Sequence, residues 1–195
     1  MEKGFKNKKV LVMGLGVLGG GIATTKWLVK QGASVTVTDL RSREQLKSSI
    51  KQLGIVAKKI KLVLGEHREA DFKTNDIIVV NPAVPRESKY LAIAKKHGAR
   101  LENEASLFFR YSRNPIIAVT GTRGKTTTVN WILFLLKQKF LNAKLTGNSS
   151  DQPMLGILDS LDGKTPVIAE LSSWHLELLN QSGRAPEITL ITNIY

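Results

Sequence analysis

Cysteine is absent from this 195-residue chain, which excludes disulfide bonds, thiolate metal sites and a cysteine nucleophile. Long apolar runs are also missing. The longest, at 131–136, is far shorter than the roughly 20 residues that a membrane-spanning helix needs. No apolar core typical of a signal peptide precedes the first strand-like segment. These absences predict a cytoplasmic protein without membrane insertion.

Acidic residues are scarce beside basic ones. The chain has 16 Asp and Glu against 29 Lys and Arg, a formal net charge of +13. Such a charge raises the possibility of anionic partners, including nucleic acid. The basic residues are scattered, however, and no aromatic-interleaved strand or recognition-helix pattern accompanies them. We therefore expect a solvated basic surface and no nucleic-acid partner.

Short apolar segments alternate with longer amphipathic ones, at 10–13, 35–37, 60–64, 77–80, 116–119, 167–169 and 188–191. This alternation predicts an α/β fold of βαβ units with mostly parallel strands. A helix is expected between Leu101 and Asn114, and the Asn114-Pro115 pair should end it. The boundary predicted there divides the chain into domains 1–112 and 113–195.

A glycine-rich turn at 121–124 follows an apolar strand and precedes a helix, in the sequence Ala118-Val-Thr-Gly-Thr-Arg-Gly-Lys-Thr-Thr-Thr128. Backbone N–H groups of such a turn can surround phosphate oxygens. A lysine placed like Lys125 can neutralise the β and γ phosphates, and a hydroxyl placed like that of Thr126 can ligate Mg²⁺. One glycine of the general phosphate-loop pattern is missing, since Val119 occupies its place. The segment predicts ATP binding.

The helix after this turn is apolar on more than one side. Val129, Ile132 and Leu136 share one face, and Trp131 and Phe134 lie beside it, as does Leu135. Such a distribution predicts a helix that is sandwiched between layers rather than exposed.

A second glycine-rich turn, Gly14-Leu-Gly-Val-Leu-Gly19, follows the first predicted strand, and Asp39 ends the next strand. In isolation this is the fingerprint of a dinucleotide site, with the acidic residue on a ribose hydroxyl. An NAD-dependent oxidoreductase is therefore one alternative, although hydride transfer has no evident use for the turn around Lys125. A non-catalytic nucleotide-binding module is another.

The pattern Thr-Gly-Thr-X-Gly-Lys-Thr-Thr resembles the ATP site of the Mur ligases, the ATP-dependent amide-forming enzymes that build the peptide of peptidoglycan. The segment Ala169-Glu-Leu-Ser-Ser-Trp-His-Leu-Glu177 is similar to that of the family's D-glutamate-adding members. His175 lies at a variable position of this segment and is interpreted as a packing or surface histidine. The resemblance covers the whole chain but less than half of the family's length.

This resemblance implies a Rossmann-like UDP-sugar-binding domain followed by the first part of a P-loop-type central ATP-binding domain. Because the last predicted strand runs to Tyr195, we expect an N-terminal fragment that is inactive alone. The implied activity is the addition of D-glutamate to UDP-N-acetylmuramoyl-L-alanine through an acyl phosphate, by a monomeric enzyme that uses ATP and Mg²⁺. A carboxylate needs such activation because its leaving group would otherwise be an oxide.

The resemblance also implies roles for individual residues. Lys125 and Glu170 would be catalytic, and Thr126 and Glu170 would ligate Mg²⁺. The residues implied to bind ATP are Gly121, Thr122, Arg123, Gly124, Lys125, Thr126 and Thr127. Those implied to bind the UDP-sugar substrate are Leu15, Gly16, Val17, Asp39, Leu40, Arg41, Asn81 and Asn148. The chain departs from the family pattern at Ala83, at Arg123 and at Ser149-Ser150.

Overall fold

The computed structural model describes residues 4–148 and 151–195 and divides into two compact units. The first unit ends at Glu104, and the second begins at Ala105. The boundary predicted at 112/113 stays a prediction. Ser149 and Ser150, which depart from the family pattern, lie outside the described residues.

The first unit is built on a five-stranded parallel sheet of order β3-β2-β1-β4-β5. Its strands are β1 (Lys9–Met13), β2 (Ser34–Asp39), β3 (Lys61–Leu64), β4 (Ile77–Val80) and β5 (Arg100–Glu102). Its helices are α1 (Gly20–Lys30), α2 (Lys47–Leu53), α3 (Glu69–Thr74) and α4 (Lys89–Lys96), with a 3-10 helix at Gly54–Lys59. The strand order reverses at β1, so the loops after β1 and β4 border the crevice where open α/β sheets bind ligands.

Apolar residues on both sides of the central strand form the core of this unit. Val10, Leu11, Val12 and Met13 are all buried, as expected of a parallel strand that is covered on both faces. The Trp27 side chain of α1 packs edge-on against Phe5, with ring centroids 5.3 Å apart. The core thus fixes β1 and the start of the loop that follows it.

The second unit contains a four-stranded parallel sheet of order β7-β8-β6-β9. Helix α5 (Glu104–Tyr111) leads from the first unit to β6 (Ile116–Thr120), and the other strands are β7 (Lys144–Gly147), β8 (Val167–Glu170) and β9 (Ile188–Ile191). The helices are α6 (Lys125–Lys137), α7 (Met154–Ile157) and α8 (Ser173–Leu176), with 3-10 helices at Leu158–Ser160 and Leu179–Ser182. The mixed α/β architecture with parallel sheets confirms the predicted fold class.

Helix α6 is covered on one side only, so the prediction of a sandwiched helix is wrong for the described chain. Val129 is buried with Val119 and Ile168 of the sheet. On the other side, Trp131, Phe134 and Leu135 are 64%, 60% and 63% exposed, respectively. Apolar composition identifies a helix that can be covered on two sides, but it does not reveal whether a second layer is present. None of the helices in the described ranges is both long and apolar enough to cross a membrane.

Candidate nucleotide-binding sites

The phosphate loop, residues 121–124, connects β6 to α6 at the carboxyl edge of the second sheet. Gly121 and Gly124 have φ angles of 134° and 80°, in the region that favours glycine. A Cβ atom on Gly121 would also lie 2.2 Å from Thr192 Oγ1. Both glycines are therefore required by the shape of the loop.

Lys125 is the first residue of α6, and its side chain folds back over the phosphate loop. The ammonium donates to the carbonyl oxygen of Gly121 at 2.8 Å and to that of Thr122 at 3.2 Å. The first-turn N–H groups of a helix lack intrahelical partners and carry positive partial charge. Together with the lysine, they give this end of α6 the electrostatics of a polyphosphate site.

Thr126 and Glu170, the two metal ligands that the resemblance implies, lie within hydrogen-bond distance of each other. The Thr126 hydroxyl donates to Glu170 Oε1 at 3.3 Å, and Glu170, at the end of β8, is only 1% exposed. Hard oxygen donors of this kind suit Mg²⁺, which usually takes one or two protein ligands and completes its shell with phosphate and water. No cluster of three or more His, Asp or Glu with metal-binding geometry occurs in 4–148 or 151–195. The Thr126 hydroxyl and the Glu170 carboxylate are oxygen donors of the kind that fits Mg²⁺.

Asn148 lies next to Glu170 through the backbone. Its N–H donates to the Glu170 carbonyl oxygen at 3.0 Å, while its side chain is exposed. The preceding Gly147 has a φ of 113°, and a Cβ atom there would lie 2.1 Å from the same oxygen. The end of β7 is thus fixed against the end of β8, which places Asn148 beside the candidate metal ligand.

His175 is a buried residue of α8, which agrees with the packing role inferred from the sequence. Its Nδ1 accepts a hydrogen bond from the Ser172 N–H at 3.2 Å. Burial lowers the pKa of His175 to about 4, and the negative charge of Glu170 opposes this shift. The imidazole is therefore neutral at pH 7 and lies in the electric field of Glu170.

Thr192 and Asn193, which the sequence analysis did not select, contact the phosphate loop directly. Thr192 Oγ1 donates to the Arg123 carbonyl oxygen at 2.6 Å, and Asn193 makes three hydrogen bonds to Thr122 and Arg123. One feature of the sequence could have identified these two residues. They are polar and directly follow a predicted strand, and such positions lie at the edge of a parallel sheet where ligands bind.

In the first unit, the glycine loop at residues 14–19 meets the loop after β4. Gly14 has a φ of 101°, and a Cβ atom there would lie 2.8 Å from the Cβ of Asn81. Asn81 Nδ2 donates to the Gly14 carbonyl oxygen at 3.4 Å, and Asn81 Oδ1 accepts the Ala83 N–H at 3.1 Å. The structure thus places Asn81 against the glycine loop.

Asp39, at the end of β2, joins two of the predicted substrate-binding segments. It is 4% exposed, and its Oδ2 accepts the Gly16 N–H at 3.0 Å while Oδ1 accepts the Arg41 N–H at 2.9 Å. The Arg41 guanidinium lies 3.8 Å from the same Oδ1. The Gly16 N–H is thus bonded to Asp39, and a diphosphate would compete with this carboxylate for it.

Around this loop, the predicted apolar residues differ in exposure. The Leu15 side chain is fully buried, so only its backbone can face a ligand, whereas Val17 and Leu40 are 54% and 66% exposed. Gly21 is a packing residue that the sequence analysis missed, because a Cβ atom there would lie 2.3 Å from the Leu15 carbonyl oxygen. It allows α1 to approach the loop closely, a role that the dinucleotide fingerprint gives to its last glycine.

His67 follows β3 and contacts the residue before Asp39. Its Nδ1 lies 2.7 Å from Thr38 Oγ1, and its ring packs edge-on against Phe72 and Tyr90. Burial lowers the pKa of His67, and the charge of Asp39 opposes this shift. The imidazole is thus part of the carboxyl edge of the first sheet, near Asp39.

Each of the two α/β units has a glycine loop at the carboxyl edge of a parallel sheet, an arrangement typical of nucleotide-binding folds. The Mur ligase MurD-like N-terminal domain model matches residues 8–102, and the Mur ligase middle domain model matches 119–195. Together the two models account for most of the chain. The chain belongs to the Mur ligase family.

Similar proteins of known name belong to the D-glutamate-adding branch of this family. The chain is 46% identical over 190 residues to a UDP-N-acetylmuramoylalanine–D-glutamate ligase from Borreliella burgdorferi (strain ZS7), covering 97% of this chain and 41% of the relative. It is also 46% identical over 187 residues to an enzyme of the same name from Roseiflexus sp. (strain RS-1), covering 96% of this chain and 40% of the relative. The chain therefore spans about two fifths of the length of these relatives.

A solved structure supports the fold. The UDP-N-acetylmuramate:L-alanyl-gamma-D-glutamyl-meso-diaminopimelate ligase from Neisseria meningitides aligns over 97% of this chain and 61% of its own, with a TM-score of 0.57 and 14% sequence identity. At that identity, the likeness concerns architecture alone.

Proposed function

We propose that this chain is the UDP-sugar-binding domain and the first part of the ATP-binding domain of a ligase that adds D-glutamate to UDP-N-acetylmuramoyl-L-alanine. The observation that carries the proposal is the arrangement of Lys125, Thr126 and Glu170 at one sheet edge, in a chain whose relatives are D-glutamate ligases. An NAD-dependent oxidoreductase would have no use for these three residues at this position.

ATP, when bound to the second unit, would supply the phosphoryl group that activates the substrate carboxylate as an acyl phosphate. The chain's own residues bind and orient the reactants. The phosphate loop shapes the site, the first turn of α6 would provide N–H donors, and Lys125 would provide positive charge where charge develops during phosphoryl transfer. The ammonium that donates to the carbonyl oxygens of Gly121 and Thr122 is the group that would bind phosphate oxygens.

Thr126 and Glu170 would hold Mg²⁺, which neutralises phosphate charge when bound. The buried Glu170 carboxylate is oriented by β8, and the Thr126 hydroxyl that donates to it supplies the second oxygen. Asn148, attached to the Glu170 backbone, is proposed to contact the substrate near its reacting carboxylate. The ATP-binding role of Thr127 follows from its place in the first turn of α6.

In the first unit, we propose that the glycine loop and its neighbours bind the UDP moiety. The exposed side chains of Val17 and Leu40 offer apolar surface, and the half-exposed Arg41 guanidinium can stack on a base. The backbone of Leu15 and Gly16 lies where a diphosphate would meet the amino end of α1. Asn81 and Asp39 fix the shape of this loop and supply polar atoms beside it.

The proposed setting is the cytoplasm, with a monomeric protein and no nucleic-acid partner. It is supported by nucleotide substrates, by the absence of cysteine and by scattered rather than clustered positive charge. We expect turnover to require parts of the Mur ligase architecture beyond the two units described above. Nucleotide binding is therefore the property to measure on this chain.

Calorimetric titration of the chain with UDP-N-acetylmuramoyl-L-alanine, with Mg²⁺-ATP and with NAD⁺ in one buffer tests the proposal. Saturable binding of the UDP sugar and of ATP, without binding of NAD⁺, is the expected result. Binding of NAD⁺ alone would instead make the glycine loop a dinucleotide site and refute the assignment.

A further inference from the structure

We propose that Asn193 is a positioning residue of the phosphate loop, which holds the backbone of Thr122 and Arg123 and leaves the phosphates to the first turn of α6. Asn193 lies two residues beyond the end of β9 and touches neither Lys125 nor Glu170 in the contacts described above. The inference rests on the proposed ATP site and concerns how that site keeps its shape.

Three hydrogen bonds join Asn193 to the phosphate loop. Its backbone oxygen accepts the Thr122 N–H at 3.1 Å, and its side-chain Oδ1 accepts the Arg123 N–H at 2.9 Å. Its Nδ2 donates to the Arg123 carbonyl oxygen at 3.1 Å. One primary amide thus pairs with both backbone groups of a single residue, as a neighbouring strand would. An alanine at position 193 could make only the backbone contact.

Thr192 places Asn193 in register with the loop. Its N–H donates to the Thr120 carbonyl oxygen at 2.9 Å, which continues the pairing of β9 with β6 by one residue. Its hydroxyl donates to the Arg123 carbonyl oxygen at 2.6 Å and occupies the space that a Cβ atom on Gly121 would need. The end of β9 and the phosphate loop therefore fit each other at several points.

The contacts of Asn193 determine which backbone N–H groups can bind phosphate oxygens. The N–H groups of Thr122 and Arg123 are already engaged by Asn193, so an anion would have to break those bonds to use them. The first-turn N–H groups of a helix point toward its amino end and suit an anion, and at this end of α6 they lie beside Lys125. Arg123 is left to act through its exposed guanidinium rather than through its backbone.

Holding the loop in place before ATP arrives lowers the ordering cost of binding, because the loop need not be fixed by the ligand itself. Loss of the two side-chain hydrogen bonds of Asn193 is therefore expected to weaken phosphate binding more than it weakens the fold. Asn142 offers a matched control, since it is an exposed asparagine of the same unit that precedes β7 at the opposite sheet edge.

The test compares the unmodified chain with Asn193→Ala and Asn142→Ala by titration with Mg²⁺-ATP and with inorganic tripolyphosphate. We expect Asn193→Ala to raise the Kd for both ligands about tenfold, the loss expected for one to two hydrogen bonds, while Asn142→Ala changes neither. Amide hydrogen exchange supplies a second readout. In Asn193→Ala, exchange at Arg123 should accelerate, whereas exchange at Ala118 inside β6 should stay unchanged.

The outcomes separate this inference from the proposed function. Binding of ATP by the unmodified chain and, equally tightly, by Asn193→Ala would overturn the positioning role and leave the ATP site intact. Failure of the unmodified chain to bind either ligand would refute the proposed ATP site, and the inference with it. If Asn193→Ala does not fold, the ATP affinities of Thr192→Val and Asn193→Asp are measured instead. Unchanged ATP affinity in both variants would overturn the proposal.

Discussion

The Thr126 hydroxyl donates a hydrogen bond to the Glu170 carboxylate across the gap between α6 and β8, with 3.3 Å between the two oxygens. The two residues are 44 positions apart in the chain and come from different elements of one sheet edge. Because both elements are fixed by the core, the two oxygens are positioned before any ligand arrives.

Replacing Glu170 by Gln should abolish most of the Mg²⁺ dependence of ATP binding. A neutral amide keeps the shape but loses the charge that favours a divalent cation, and a loss of about tenfold in Mg²⁺-supported affinity is expected. Titrations with ATP in the presence and absence of Mg²⁺ measure this. Asp159→Asn, at an exposed carboxylate of the same unit, should retain the Mg²⁺ dependence. Equal Mg²⁺ dependence in Glu170→Gln and the unmodified chain would exclude Glu170 as a metal ligand.

Replacing Lys125 by Ala should weaken ATP binding by about tenfold or more, because a charge-assisted hydrogen bond to phosphate is lost. Stability should change little, since the partly exposed ammonium donates to carbonyl oxygens of the loop. Titration with ATP and thermal unfolding are measured side by side. Lys137→Ala, in the last turn of the same helix, is the control and should bind ATP normally. Undiminished affinity in Lys125→Ala would contradict the proposed role.

Replacing Asp39 by Ala should both destabilise the first unit and weaken binding of the UDP sugar. The buried carboxylate accepts the N–H groups of Gly16 and Arg41, and loss of these bonds should cost about 1–3 kcal/mol of unfolding free energy. Asp76 accepts the Lys9 N–H at the other end of β1, at 2.8 Å. Asp76→Ala should therefore reduce stability without a selective effect on the UDP sugar. Parallel losses of affinity in both variants would show that Asp39 has no local role.

Replacing Gly21 by Ala should destabilise the first unit by about 1–3 kcal/mol, the usual cost of overpacking. The added Cβ would lie 2.3 Å from the Leu15 carbonyl oxygen and 2.6 Å from that of Gly14, and neither is a flexible side-chain end. Gly20→Ala is the matched control, because its Cβ would meet only the Glu104 carboxylate, at 3.1 Å. Denaturant unfolding of the two variants should differ clearly, and similar midpoints would disprove the packing argument.

The lowered pKa of His67 predicts a dependence of stability on pH. Since the folded state disfavours the charged imidazole, the unfolded chain takes up the proton first as pH falls below the ordinary histidine pKa of 6.5. The stability associated with neutral His67 is thus complete above pH 6.5 and is lost as pH falls through its lower folded-state pKa. The negative charge of Asp39 acts on His67 and opposes the lowering of its pKa.

Unfolding free energies of the chain and of His67→Gln at several pH values test this prediction. The unmodified chain should lose more stability than the variant between pH 7 and pH 5, because glutamine does not titrate. Identical pH profiles for the two proteins would show that the folded-state pKa of His67 is not lowered.

Sequence patterns identified the apolar strands but not the short polar ones. All seven predicted segments are strands, yet β5 (Arg100–Glu102) and β7 (Lys144–Gly147) were not predicted. These two strands begin with Arg100 and Lys144, and each lies at an outer position of its sheet. An outer strand needs little apolar pattern, because its place is set by backbone pairing with an inner neighbour.

For the candidate sites, sequence reasoning located the loops but not their internal contacts. The pairing of Thr126 with Glu170 follows from two motifs that end neighbouring strands. The engagement of the Gly16 N–H by Asp39, and of Arg123 by Asn193, does not follow, since it depends on loop angles that residue types leave open. Gly21 was missed because it is a helical residue and its requirement is steric.

The packing of Trp27 gives the chain a built-in optical reporter. Of the three tryptophans, only Trp27 belongs to the first unit, where it is 6% exposed, while Trp131 and Trp174 of the second unit are 64% and 38% exposed. A shielded indole emits at shorter wavelength and resists quenching by iodide, whereas exposed indoles do not. The emission of Trp27 can therefore follow the unfolding of the first unit without any added label.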